Sequence, residues 1–413
     1  MIKRTIKYFA LFVLTTVASL ALLYLVAPNW VQDTAVDLLY PTVTIEEKYR
    51  NNFTVEIPRV YELMYIACSL TPTFRADDNL ISNRSPTYRA AVTEHFSAFH
   101  DHPLVNTLES KLKENPYSQL QPAIRMFSLN YQLTKENTLA EEEIFHVNPI
   151  LIKLFKSKIF YYPDYLELIE DFAAKTDFYR FYYDHEDFYA SLKTRYENLC
   201  DPNRIWNWME DRSSEEYNSY RIIFSPLTGG FHNTIPGLRD TETGLQQTWM
   251  FVSPPPLMDL DTLTERELEV MVSKFEREVF TEIDHNYVNP TSDKYVAEIE
   301  RAMPDYREWN HQKKGYSSSV STFNEYVTWG LFSLYASDVY RPGQVDTIIS
   351  LQEDYMVDKR KFVHFKAFNR EMRRLYAAQK NEVGQFDIES LYVPLIQWMQ
   401  QKSPKANTND DPE

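Results

Sequence analysis

Residues 278 to 290 read Glu-Val-Phe-Thr-Glu-Ile-Asp-His-Asn-Tyr-Val-Asn-Pro. The stretch continues an apolar stripe at three and four residue spacing that starts near Leu268, and this periodicity predicts an amphipathic helix. Thr264 and Glu267 form a capping box that predicts where the helix begins, and the Asn-Pro pair at 289–290 predicts where it ends. Such a helix places four polar side chains near one another: Glu278, Thr281, Glu282 and His285.

Glu282 and His285 match the zinc-protease helix His-Glu-x-x-His, in which Thr281 stands where the first histidine is expected. In the intact motif both imidazoles point at one zinc ion, and the glutamate activates the metal-bound water. A threonine hydroxyl is a poor zinc ligand beside a histidine or carboxylate. Either the metal is held differently here or the site has lost its chemistry, and the sequence leaves both interpretations open.

The similarity extends beyond this helix, to residues 57–63, 88–102, 224–230 and 286–290. Together these segments resemble an uncharacterised bacterial family of exported or envelope proteins that carry a gluzincin-type metallopeptidase motif. The resemblance covers about residues 55 to 345. The chain departs from the family pattern at Thr281. Because unrelated activities can share one fold, the resemblance supports a fold more strongly than an activity.

The resemblance implies an α+β fold that is predominantly helical, with a gluzincin-like metallopeptidase core, a small β edge element and a helical N-terminal half. It also implies roles for single residues. Glu282 would be the general base, and His285 and Glu325 would be metal ligands, with Thr281 at the lost ligand position. Because one ligand is missing, we expect zinc to be held weakly or not at all.

Glu325 has a second interpretation. Thr322 and Glu325 have the spacing of a capping box, which would engage the carboxylate with backbone N–H groups at the start of a helix. The sequence does not distinguish a metal ligand from a helix cap.

Two runs, 220–224 and 248–252, predict β-strands on either side of a glycine-rich segment. In gluzincin-like proteins a strand at this place lies along the cleft and pairs with extended peptide. The resemblance therefore implies a set of substrate-binding residues at this strand and the turn that follows it. Within this set, His232 would be a replacement ligand or an oxyanion donor. Its members are Ile222, Phe224, Gly229, Gly230 and His232.

The N-terminus predicts a membrane anchor. Residues 8–27 are twenty uncharged, largely apolar residues after Lys3, Arg4 and Lys7, which is long enough to span a bilayer with the basic end cytoplasmic. A cleaved signal peptide is the alternative. We expect a single-pass protein of the cell membrane with the bulk of the chain exported, whether periplasmic or otherwise extracytoplasmic.

Composition excludes one class of partner. The chain has 43 basic and 59 acidic residues and a net charge of −16, which argues against nucleic acid, because phosphate binding needs a basic face. Cys68 and Cys200 could pair in an oxidising compartment or be buried singly.

Helical periodicity at 59–71, 86–100, 103–114, 119–133 and through 148–200 supports a helical N-terminal half. The predicted organisation is an anchor at 1–30, a linker at 31–54, a helical subdomain at 55–210, a gluzincin-like core at 211–345, a C-terminal helical segment at 346–401 and a disordered tail at 402–413.

The function predicted from these features is that of a membrane-anchored, exported, zinc-metallopeptidase-like protein with a degenerate active site that acts on or binds peptide segments. If active, it would be a hydrolase. The alternatives are a catalytically inactive pseudopeptidase and a structural envelope protein.

Overall fold

A computed structural model describes residues 41–155, 157–312, 315–383 and 386–402. Within these ranges every helix is too short or too polar to cross a lipid bilayer. The anchor expected at 8–27 lies outside the described residues, and so does the expected tail beyond Lys402.

The chain is α+β and predominantly helical, as expected. Seven of the described helices begin with proline, whose fixed φ and missing N–H suit the first helical position. The helices are α1 (Arg59–Ser69), α2 (Pro72–Arg75), α3 (Pro86–Phe96), α4 (Pro103–Glu114), α5 (Pro116–Gln119), α6 (Pro149–Phe155), α7 (Leu166–Lys175), α8 (Phe178–Asp184), α9 (Glu186–Leu199), α10 (Pro202–Glu210), α11 (Glu265–Asp293), α12 (Val296–Ala302), α13 (Ser319–Val339), α14 (Pro342–Asp354), α15 (Phe365–Val383) and α16 (Tyr392–Lys402).

Eight strands form two sheets among the described residues. They are β1 (Thr42–Val43), β2 (Asn52–Glu56), β3 (Tyr131–Leu133), β4 (Leu139–Glu141), β5 (Phe145–His146), β6 (Ser219–Ile223), β7 (Asn233–Arg239) and β8 (Gln246–Phe251). The larger sheet has the order β2-β6-β8-β7-β1-β5, and β3 pairs with β4. Strands β2, β6 and β8 are parallel, while β7 runs antiparallel to β8.

The helices predicted at 59–71, 86–100 and 103–114 are confirmed as α1, α3 and α4. The helix predicted at 119–133 is wrong. Beyond α5 the chain forms a π-helical segment, Leu120–Met126, then a 3-10 turn, and then β3. Pro122 has no N–H with which to continue an α-helical ladder, and residues 131–133 alternate buried, exposed, buried, which is the period of a strand.

Both predicted strands are confirmed, as β6 and β8. Every residue of β6 is buried, because parallel strands flank it on both sides. The predicted linker, from residue 41 onward, supplies β1 and β2 to the same sheet. Cys68 and Cys200 are both free and buried, so they do not form a disulfide.

Candidate active site

Helix α11 begins with the predicted capping box. The Thr264 hydroxyl accepts from the Glu267 N–H, and the Glu267 carboxylate accepts from the Thr264 N–H. The predicted end at Pro290 is wrong, because the helix continues to Asp293. Proline cannot donate to the carbonyl of Asn286 four residues earlier, and the Tyr217 hydroxyl donates to that carbonyl instead, at 2.7 Å.

The structure brings His285 and Glu325 together. Helix α13 packs against α11, and the His285 Nε2 lies 3.5 Å from the Glu325 Oε1. Two ligands of one tetrahedral zinc ion lie roughly 3.4 Å apart, so this pair keeps a separation that suits a shared metal.

Of the two interpretations of Glu325, the helix cap with Thr322 is wrong. The N-cap of α13 is Ser318, which forms its capping box with Ser321. Glu325 therefore lies in the second turn of the helix, buried, and its carboxylate faces His285 rather than the end of its own helix.

Glu325 already has a cationic partner, which the sequence reasoning missed. The Arg360 Nη1 lies 2.7 Å from the Glu325 Oε2, and the Trp329 Nε1 donates to the same oxygen at 3.1 Å. The Arg360 guanidinium lies over the rings of Tyr316, Trp329 and Phe362. Burial disfavours its charge, but Glu325 together with Tyr316 and Tyr355 outweighs burial, so the pKa of Arg360 is raised. Residues 358–361 read Asp-Lys-Arg-Lys, a run that ordinarily indicates a solvated surface.

Thr281 does not replace the missing histidine. Its hydroxyl donates to the carbonyl of Glu278 at 3.1 Å, which is a bond within its own helix. Glu278 accepts two-pronged hydrogen bonds from Arg84, each 3.1 Å long, and Arg84 also donates to the carbonyl of Pro254. These contacts fasten α11 to the loop that follows β8.

Glu282 faces β7 rather than an open metal position. The Thr234 hydroxyl lies 2.8 Å from the Glu282 Oε2 and 2.9 Å from the Glu282 carbonyl oxygen. The His232 Nδ1 lies 3.9 Å from the Glu282 Oε1. The general base expected from the sequence is therefore held between a threonine and a histidine.

His232 has a defined tautomer. The Ser253 hydroxyl donates to the carbonyl of Gly229, and it lies 2.7 Å from the His232 Nε2. Because the only hydroxyl proton is already used, Nε2 must donate to Ser253. The other ring nitrogen, Nδ1, is the one that faces Glu282. Burial lowers the pKa of His232, although the carboxylate of Glu282 acts in the opposite direction.

Asp284 is a second residue that sequence reasoning missed. Its side chain is fully buried, and neither oxygen has a hydrogen-bond partner among the described residues. Burial raises the pKa of Asp284 well above its ordinary value, and the charge of Glu325 raises it further. The raised pKa favours the protonated form of Asp284, near the Glu325 carboxylate that is paired with Arg360.

The strand expected along the cleft is wrong in position. Ile222 lies in the interior strand β6 and Phe224 follows its end, and both are fully buried, so neither is accessible to a ligand. Gly229 packs against the backbone of Asn79, where a Cβ atom would come within 2.5 Å of its carbonyl oxygen. Gly230 is exposed beside it.

Strand β7, rather than β6, bonds to Glu282 on α11. Thr234 attaches it to α11, and β1 pairs with it only through Thr42 and Arg239. Among the described residues, the outer backbone edge of 233–237 therefore has no strand partner. Pro236 fits this position, because proline within a sheet is confined to edges and irregularities.

The donor set does not fit a zinc ion. The described ranges contain no group of three or more histidine, cysteine, aspartate or glutamate side chains placed to hold a metal. Of the two expected ligands, Glu325 is paired with Arg360, and Thr281, at the lost ligand position, bonds to its own helix. A catalytic zinc site requires three protein ligands and an open fourth position. Comparison with known proteins finds no family model, no curated protein and no solved structure that matches this chain.

Proposed function

We propose that this chain is a degenerate, metallopeptidase-like protein that binds extended peptide segments without hydrolysing them. The observation that carries the proposal is the ion pair of Arg360 with Glu325, beside His285. The fixed positive charge of an arginine then balances the Glu325 carboxylate, which a metal ion would do in a related zinc site. The gluzincin-like core is part of this proposal.

The electrostatics support the loss of metal. A zinc ion between His285 and the Glu325 Oε1 would lie near a guanidinium that is held at the Oε2 of the same carboxylate and against three aromatic rings, so the two positive charges would repel each other. Arginine stays charged at every physiological pH, so loss of its proton cannot relieve this repulsion. His285 and one oxygen of Glu325 would be its two protein ligands, which are too few to fix the ion and orient a water molecule.

The open edge of β7 supports peptide binding. An exposed strand edge presents unpaired backbone N–H and C=O groups, and an extended peptide can add to it as a further strand. The edge at 233–237 lies beside Glu282 and His232. The peptide would therefore lie across the former catalytic residues, outside the cell if residues 8–27 anchor the chain.

Hydrogen exchange on the full-length chain tests this proposal. With an unstructured peptide mixture, such as reduced casein fragments, and a metal chelator present, we expect slower amide exchange in 233–239 and no cleavage of the peptides. Strand β2 is the internal control, since it is the opposite edge of the same sheet and should keep its exchange rate.

Two results would contradict the proposal. Peptide cleavage that depends on added zinc would indicate an active peptidase. Unchanged exchange in 233–239, with and without zinc, would favour a structural envelope protein.

A further inference from the structure

Arg277 is a buried arginine of α11 that has no acidic partner. It is 7% exposed, and it forms no hydrogen bond or ion pair with any described residue. Its Nε atom is enclosed by the protein without an acceptor. Taking a guanidinium out of water is costly unless an acceptor or an opposite charge lies beside it. An anion bound at this arginine would offset that cost.

Two aromatic rings lie beside the Arg277 guanidinium. Its Cζ atom is 4.8 Å from the ring centroid of Trp329 and 5.1 Å from that of Tyr355. The two rings are stacked on each other, and Tyr355 is 41% exposed, so this cluster reaches the surface. A cation over an aromatic face gains less than burial of its charge costs. The rings therefore orient the guanidinium without balancing its charge.

The acids around Arg277 have other partners. Three of them, on α11 and α13, are each paired with another arginine: Glu276 with Arg204, Glu278 with Arg84 and Glu325 with Arg360. The acids beside Tyr355 have partners of their own or basic neighbours: Glu353 accepts from Asn369, Asp354 is paired with Lys366, and Asp358 is followed by three basic residues.

The charge of Arg277 is therefore only partly balanced. Burial lowers the pKa of Arg277, and the charge of Arg360 lowers it further, whereas Glu278 and Tyr355 act in the opposite direction. Because burial and the second arginine prevail, an anion beside the guanidinium would stabilise its charged form.

Arg277 lies in line with the candidate active site. Thr281 and His285 follow it on α11 at four and eight residues, so the three side chains form one row along the helix. Eight residues of helix span about 12 Å. An extended peptide advances about 3.3 Å per residue, so a peptide residue at Arg277 and one over His285 would be about four residues apart.

We propose that Arg277 binds a carboxylate of the peptide held at β7, supplied by an acidic side chain or by a free C-terminus. This preference rests on the peptide binding proposed above, and it names the class of peptide that the site selects. The fork of a guanidinium matches the two oxygens of a carboxylate. Trp329 and Tyr355 would exclude water from the pair, which strengthens it.

Three peptides of one casein-derived sequence test the proposal on the full-length chain, with a metal chelator present. The first is amidated at its C-terminus and has glutamine at its middle position. The second is amidated and has glutamate there, and the third has glutamine and a free C-terminus. Fluorescence anisotropy measures affinity, and hydrogen exchange in 233–239 reports binding at β7. We expect the second or the third peptide to bind about ten-fold more tightly than the first, and the tighter of the two identifies the source of the carboxylate.

Variants assign this preference to Arg277. With Arg277→Met, which keeps an apolar stem beside the two rings, the three peptides should bind equally. Arg370→Met removes an exposed arginine on α15 that forms no ion pair with a described residue, so it changes the net charge equally and should keep the preference. Arg277→Lys retains the charge without the fork and should keep part of it. Thermal unfolding checks that each variant folds, and the comparison of peptides on the parent does not depend on any variant.

Three results would overturn the proposal. If all three peptides slow exchange in 233–239 and bind the parent equally, peptide binding stands but Arg277 selects no carboxylate. If the preference survives in Arg277→Met, another group is responsible for it. If none of the peptides slows exchange in 233–239, peptide binding at β7 fails as well, and the carboxylate preference fails with it.

Discussion

The Arg360 Nη1 lies 2.7 Å from the Glu325 Oε2, while the other oxygen of the same carboxylate lies 3.5 Å from the His285 Nε2. One buried glutamate thus faces both a histidine that could bind metal and an arginine that makes metal unnecessary for charge balance. Taking either charge out of water is costly unless the other remains beside it.

Arg360→Gln should destabilise the fold by about 3 kcal/mol, because Glu325 would remain buried without its cation. Urea denaturation measures the free energy of unfolding. Arg301→Gln is the matched control, since it removes an exposed arginine paired with Glu298 and should cost less than about 1 kcal/mol. If Arg360→Gln costs no more than this control, the buried pair has no special role in stability.

Restoring the histidine by Thr281→His should not create a tight zinc site, because Arg360 still holds Glu325. The double variant Thr281→His with Arg360→Gln frees the carboxylate and should gain zinc-dependent stability, about 2.7 kcal/mol at a zinc concentration one hundred times Kd. Thermal unfolding with and without zinc compares each protein with itself.

The double variant Thr281→His with Arg301→Gln is the control, because it also loses one arginine but keeps the pair with Glu325. A zinc response from Thr281→His alone, equal to that of the double variant with Arg360→Gln, would show that Arg360 does not exclude the metal.

The stability of the Asp284→Asn variant relative to the parent should increase as pH rises. Burial and the charge of Glu325 raise the pKa of Asp284, so the folded protein keeps a proton that the unfolded chain loses near pH ~4. Between that pH and the raised pKa the folded state binds more protons, and the stability of the parent falls as pH rises.

Asparagine does not titrate. The free energy of unfolding of the variant, minus that of the parent, should therefore increase by ~1 kcal/mol or more between pH 4.5 and 7.5. Urea denaturation at both pH values measures it, with exposed Asp346→Asn as the control. A difference that is the same at both pH values would mean that Asp284 ionises normally in the fold.

Sequence patterns predicted those parts of the site that depend on residues close together in the sequence. The start of α11 was predictable because a capping box involves residues three apart. The approach of Glu325 to His285 followed from the family resemblance. Arg360 was not predictable, because its aromatic partners Tyr316 and Trp329 are distant in sequence and a charged run surrounds it.

Strand β7 was missed for a similar reason. Its sequence, Asn-Thr-Ile-Pro-Gly-Leu-Arg, contains the proline and glycine that ordinarily mark a turn. Pairing with β8 overrides this local preference, and Gly237 takes a positive φ of 54° at the irregularity between Ile235 and Leu238. The strand state depends on tertiary contacts that single-sequence patterns do not contain.

The continuation of α11 through Pro290 gives a last prediction, because it depends on a hydroxyl from another segment. Tyr217→Phe leaves the Asn286 carbonyl without its donor and should cost about 1–2 kcal/mol of unfolding free energy. In a Pro290→Ala background the alanine N–H can donate to that carbonyl, so the same change should cost much less. A double-mutant cycle by urea denaturation measures this coupling.

Tyr182→Phe is the control for this cycle, because it removes a comparable hydrogen bond to the Ile57 carbonyl and should cost the same in both backgrounds. An equal cost of Tyr217→Phe in both backgrounds would show that the tyrosine does not substitute for the missing helix donor, and the passage of α11 through Pro290 would need another explanation.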